Sequence, residues 1–133
     1  METFEESMRN YRQQLEKGSI QRAYRGLMDF MSAMKTRFKE KYPQYRVSGS
    51  LYSGYMDMTY FSCIPPALEQ RGLKIAVVFL HEPFRFEVWL SGVNRQVQAE
   101  YWEMFRQHDW GAYRLVKNPK TADAILESVA AAA

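Results

Sequence analysis

Two acidic residues, Asp57 and Glu87, are the side chains best suited to metal chemistry, one on an early strand and the other in a later hairpin. In metal-dependent nucleases a strand aspartate and a Glu-x-Lys triplet hold the cation, and the lysine assists the attacking water. Here Glu87 is followed by Val88 and Trp89, so that lysine is missing. A divalent-metal-dependent hydrolase or nuclease-like enzyme using Asp57 and Glu87 is therefore the alternative reading, and no metal ligand set is assigned. The only histidines are His81 and His108 and the single cysteine is Cys63, without zinc-type spacing. Cys63 with His81 has the types of a nucleophile and its base, but a lone strand-end cysteine is ordinary packing. The stretch from Ser48 to Gly54 is glycine-spaced yet lacks any phosphate-binding fingerprint, and reads as a hairpin. Neither a catalytic residue nor a cofactor is assigned.

The stronger candidate is a binding face. Partners across a two-residue turn point the same way, so pairing residue 81 with 84 sets the phase of the hairpin. Ile75, Val77 and Phe79 then join Phe84, Phe86, Val88 and Leu90 on an apolar side. Lys74, Ala76, Val78, Leu80, Arg85, Glu87 and Trp89 take the other. In the preceding strand Met56, Met58 and Tyr60 are the better core set, which puts Tyr55, Asp57, Thr59 and Phe61 beside Arg85, Glu87 and Trp89. That face is too apolar for bare water and too charged for a plain core. One reading seals it with the protein's own helices or a second subunit, Arg85 pairing with Asp57 or Glu87. The other makes Tyr55, Asp57, Thr59, Arg85, Glu87 and Trp89 a site for a polar small molecule, with Arg85 gripping an anionic group and Trp89 as a stacking wall.

The elements that must position these residues follow from periodicity. Phe4, Met8, Tyr11 and Leu15 mark one face of a first helix, which Gly18 stops. Ser19 opens a second helix whose apolar arc includes Leu27, Met31, Met34 and Phe38, and Pro43 ends it. From Arg46 the period becomes two. Strands are expected over 46–52 and 55–64, joined at Ser53 and Gly54, then over 73–81 and 84–90, joined at Glu82 and Pro83. Pro65 and Pro66 open a short helical turn between them. Val93, Val97, Tyr101, Met104 and Phe105 mark a third long helix, 113–116 a short edge strand, and Thr121 a cap for a last helix carrying Ile125, Leu126 and Val129, with 130–133 a frayed end. This order predicts an α+β fold: a mainly antiparallel four- to five-stranded sheet packed with N-terminal and C-terminal helices.

Composition bounds the rest. At 133 residues and 47% hydrophobic content the chain suits a single domain over 1–133 with a sizeable core. The one cysteine, the acidic Met1–Glu6 start and the lack of a long apolar run predict a cytoplasmic protein with no membrane span. A pI near 9.0 raises nucleic acid, but the net charge is only +3. The six Lys and Arg between 19 and 42 scatter around a helix back, and Asp57 and Glu87 would repel phosphates, so nucleic-acid binding is not expected. The third reading is a homodimeric structural or partner-interaction module.

Four segments resemble a family of small bacterial proteins known as a domain of unknown function: Gly18–Met28, Gly54–Phe61, Leu73–Phe79 and Phe84–Leu90. The resemblance runs from about residue 3 to 107, implies a bacterial, cytoplasmic, single-domain protein, and brings no catalytic residue.

Overall fold

The computed structural model describes residues 1–132, and the chain forms two compact units, Met1–Met34 and the remainder from Lys35. In the first unit, helix α1 (Phe4–Lys17) starts at a reciprocal cap. Thr3 accepts from the Glu6 N–H at 3.1 Å while the Glu6 carboxylate accepts from the Thr3 N–H at 3.4 Å. Glu5 and Glu6 lie in its first turn and Lys17 in its last, complementing the helix dipole. Gly18 then takes a left-handed φ of 78° that lets its N–H return to Leu15 O, and α2 (Ser19–Lys41) begins at once.

The final turns of α2 belong to the second unit. Phe38 meets Phe61 edge-on at 5.7 Å, and Lys35 Nζ donates to Gly49 O at 2.9 Å. The unit is built on a six-stranded antiparallel sheet: β1 (Arg46–Val47), β2 (Met58–Ile64), β3 (Leu73–Leu80), β4 (Arg85–Gly92), β5 (Arg114–Leu115) and β6 (Leu126–Ala132). The order across it is β1-β2-β3-β4-β6-β5. Short α3 (Pro66–Glu69) links β2 to β3, and α4 (Arg95–Phe105) follows β4, capped by the Asn94 side chain on Val97 N–H. The expected α+β class holds, with one strand more than the upper expectation.

Leu80 pairs with Arg85 and Val78 with Glu87, the register expected for this hairpin. The connection is longer than a two-residue turn, spanning 81–84, and Phe84 adopts a left-handed φ of 57° to close it.

Four expectations fail. The proposed last helix is a strand. β6 pairs along β4 from Leu126↔Leu90 onward, and that non-local ladder outweighs the helical spacing of Ile125, Leu126 and Val129. Residues 130–132, read as a frayed end, continue this strand, while 133 lies outside the described residues. The first strand shrinks to Arg46–Val47, and beyond it only Tyr52 bridges to Tyr60. The second strand starts at Met58 rather than Tyr55, because Gly54 (φ 64°) and Met56 (φ 63°) fold 54–57 into a turn that the Asp57 carboxylate ties by accepting from Tyr55 N–H at 2.9 Å.

Both faces of the sheet are covered. Phe61, Val77 and Phe79 are buried on one, and Ala76, Val78 and Trp89 on the other, where they pack with Val116, Ala124 and the Trp102 ring.

Candidate functional site

The β2–β3 register separates the six candidate residues into two groups. Thr59 stands opposite Phe79 and Phe61 opposite Val77, so they share the Phe79–Phe86 face, across the sheet from Glu87 and Trp89. Met58 and Tyr60 take the side assigned to Tyr55, Asp57, Thr59 and Phe61. The phase between β2 and the hairpin is thus the reverse of the expectation. Thr59, Phe61 and Cys63 are fully buried and Met58, Tyr60 and Ser62 half-buried, yet both sets mix apolar and polar side chains, so side-chain character does not set the phase.

Arg85, Glu87 and Trp89 do come together, as a satisfied network rather than an open site. Glu87 is 0% exposed. Its Oε2 accepts from Arg85 Nε and its Oε1 from Trp89 Nε1, each at 2.8 Å. Arg114 approaches Oε1 at 3.6 Å and is itself held by Glu127 at 2.6 Å. A carboxylate can be this deep because both oxygens are engaged and guanidinium charge lies beside it. Arg85 is therefore committed to Glu87 and not poised to grip a ligand.

Tyr55, at 94% exposure, and Asp57 lie in the 54–57 turn. Backbone N–H groups of Tyr55 and Met58 hold the Asp57 carboxyl below its ordinary pKa. Thr59 is 0% exposed and its hydroxyl lies 3.0 Å from His81 Nε2 and 3.2 Å from Ser53 O. Asp57, His81 and Thr59 have the types of a nucleophilic triad, but a hydroxyl sealed from solvent cannot meet a substrate. They tie the 53–57 turn to the end of β3. Burial pulls the His81 pKa below its ordinary 6.5, against the opposing influence of Asp57. The unfolded chain then binds this proton more tightly, so stability is full above pH 6.5 and falls as pH drops through 6.5 toward the lower folded value. The difference in melting temperature between wild type and His81→Gln should be constant above neutral pH and change as pH falls below it. A gap unchanged down to mild acid would show that His81 carries no such dependence.

Glu87 shares its cross-sheet row with Val78 and Tyr60, whereas Asp57 precedes Met58. The pair is separated by about 10 Å across the sheet and about 10 Å along it, too far for one cation. The hydrolase reading loses its geometric basis. Cys63 pairs with Ile75 and His81 lies beyond Leu80, about 20 Å along the sheet. Burial pushes the Cys63 thiol above its ordinary pKa, which favours the inert protonated form. Among the described residues no cluster of three His, Cys, Asp or Glu could hold a metal.

A cleft of about 360 Å³ opens on the Trp89 side of the sheet. Met58, Tyr60, Ala76 and Trp89 line its sheet wall, Lys74 enters from β3, and the turn from Gly92 into α4 forms a rim with Gln98 and Asp123. The opposite wall is pinned. Ser91 Oγ donates to Asp123 O at 2.8 Å, and Gln98 Nε2 donates to Ala122 O at 2.8 Å and Pro119 O at 3.2 Å. Gln98 Oε1 accepts from Gly92 N–H at 3.2 Å. Arg95 donates to the Ala122 carbonyl and pairs with Asp123 at 3.6 Å. On the sheet wall, by contrast, neither the Lys74 ammonium nor the Tyr60 hydroxyl has a partner among the described residues. Burial, then Tyr52 and Asp123, raises the Tyr60 pKa and keeps its hydroxyl protonated as a donor. Tyr52 packs on Tyr60 with centroids 4.9 Å apart and completes an aromatic side.

Of the six sequence candidates Trp89 alone lines this cleft. Lys74 was legible, since the hairpin phase puts it on the Trp89 side as a lone cation in an apolar strand. Tyr60 was hidden by the reversed phase, and Gln98 and Asp123 by their distance along the chain.

The family model for a domain of unknown function, DUF7000, matches residues 4–133. The chain belongs to the DUF7000 family. No curated protein and no solved structure matches it. Nor is any helix among the described residues long and apolar enough to cross a membrane.

Proposed function

We propose that the protein binds a small organic anion in the sheet-face cleft. The observation that carries this reading is the pairing of a Lys74 ammonium and Tyr60 hydroxyl, both without a partner among the described residues, with aromatic walls in a cavity of about 360 Å³. That volume falls in the range of small-molecule sites, which combine an apolar lining with a few convergent polar groups. Lys74 takes the carboxylate or phosphate, Tyr60 adds a hydrogen bond, and Met58 and Trp89 meet the apolar body. The cross-braced Gln98 and Arg95 side supplies rigidity rather than free donors. We place this activity in the cytoplasm of a single-domain protein, where a lone thiol such as Cys63 is at home.

A thermal-shift screen of small carboxylates and phosphates tests the reading. A hit at about a hundred times its Kd stabilises the fold by about 2.7 kcal/mol. Lys74→Ala should weaken that hit by about ten- to a hundredfold, the worth of one charge-assisted contact, while leaving the ligand-free melting temperature nearly unchanged. Tyr60→Phe should weaken it less. A hit whose affinity Lys74→Ala leaves untouched would overturn the assignment, as would a broad screen without any stabilising anion.

A further inference from the structure

Helix α1 carries an apolar stripe that its own structure leaves open. No residue of α1 is buried, and Phe4, Met8 and Tyr11 are 77%, 46% and 56% exposed. Their spacing, completed by Leu15, is four, three and four residues, the a/d seam of a two-helix coiled coil. With 150–250 Å² for a buried aromatic side chain, the three leave roughly 350 Å² of apolar side chain in water. Single exposed apolar residues need no explanation, whereas a continuous seam does.

The seam reads the same in both directions, which identifies what covers it. We propose that α1 pairs with α1 of a second copy of this chain, antiparallel about a two-fold axis. Reversing one helix sets Phe4 opposite Leu15 of the second copy and Met8 opposite Tyr11, so every large side chain finds a large side chain in layers repeated by symmetry. The flanks fit as well. Glu5 and Arg12 are seven residues apart and therefore lie on one flank of the seam, next to Phe4 and Tyr11 respectively. In the antiparallel pair that flank meets itself. Glu5 then lies about 3 Å along the axis from Arg12 of the second copy, and the contact occurs twice. A parallel pair would instead bring the uncharged Ser7 against Arg12, leaving Glu5 unmatched. Among the described residues of the single chain Arg12 pairs with Glu16 alone, at 3.3 Å in an exposed pair that exchanges readily for a new one. A helix of 14 residues offers a seam about 21 Å long, less than the area of a standard obligate interface. The dimer is accordingly weak and concentration-dependent.

Sedimentation velocity of the full chain from low to high micromolar concentration tests this, with circular dichroism on every variant. Wild type should shift from monomer toward dimer as concentration rises, and Met8→Glu, on an exposed helix position, should stay monomeric with an unchanged spectrum. Glu5→Arg and Arg12→Glu should each weaken association by about fivefold to thirtyfold, the range for losing one or two exposed pairs and gaining like-charge contacts. The double reversal should restore it. Restoration by the double variant is expected only if the two positions face one another across identical helices. A chain that stays monomeric throughout overturns the proposal, and so does a dimer insensitive to Met8→Glu or to the charge reversals, which would place the contact elsewhere.

Discussion

Glu87→Ala is expected to destabilise the fold by about 3 kcal/mol, near the low end for breaking a buried ion pair. Two losses add up and one circumstance limits them. Trp89 Nε1, whose ring is buried, loses its acceptor at 2.8 Å. The missing side chain leaves a void beneath a sheet face already packed by Val78 and Trp102. Arg85 and Arg114 keep access to water, at 35% and 57% side-chain exposure, so their cations are not stranded, which is why the loss stays at the low end. For a chain of this size the change corresponds to a drop of roughly 10 °C in melting temperature. Glu87→Gln should cost about half as much, because its amide oxygen can still accept from Trp89 while the charge contact to Arg85 is lost. Chemical denaturation of the three proteins checks both numbers, and an alanine variant within about 1 kcal/mol of wild type would mean that the network is not a fold determinant.

Gly92→Ala is the second large effect. A Cβ at this position would sit 2.6 Å from Gln98 N, 2.9 Å from Gln98 Cα and 3.1 Å from Asn94 O. All three are backbone atoms of the segment that starts α4, so no side chain can swing aside to relieve the overlap, and the first turn of the helix must move off the sheet. Overpacking of this kind costs about 1–3 kcal/mol, and the upper end is expected here. The same displacement opens the cleft, since Gly92, Asn94 and Gln98 all line it. Hydrogen exchange should therefore speed up in α4 while β2 and β3 stay protected, and the anion response should fall with it. A variant with wild-type stability and unchanged α4 exchange would show that the helix sits farther from β4 than these distances state.

How far the sequence carried the fold depended on whether a segment's neighbour was close in the chain. α1, α2 and the β3–β4 hairpin were legible because their signals are local: the apolar spacing of Phe4, Met8, Tyr11 and Leu15, the Gly18 stop, and alternation running straight across the connection at 81–84. β6 was not, because Leu126–Ala132 becomes extended through pairing with β4, far back in the sequence. The candidate face failed at one point. Alternation in 55–64 shows which residues oppose each other within that strand, yet Met58, Tyr60 and Ser62 on the half-buried side and Thr59, Phe61 and Cys63 on the buried side are equally mixed in polarity, so neither set fixes the phase against the hairpin. A turn ending at Asp57 then removed Tyr55 and Asp57 from the sheet altogether. Trp89 survived as a cleft residue because its phase came from the hairpin alone, whereas Tyr60 needed the β2 register and Asp123 a hydrogen bond from Ser91 across the fold.

The insertion of β6 between β4 and β5 has a consequence for the chain as it is made. When α4 leaves the ribosome, one edge of β4 has no mate, and Glu87 has met Arg85 but not Arg114. β5 cannot close that edge, since its ladder partner is β6 itself. The nascent sheet must wait with an unpaired apolar border until residues 126–132 emerge, and in that interval it is most exposed to chaperones and to wrongful pairing with neighbouring chains.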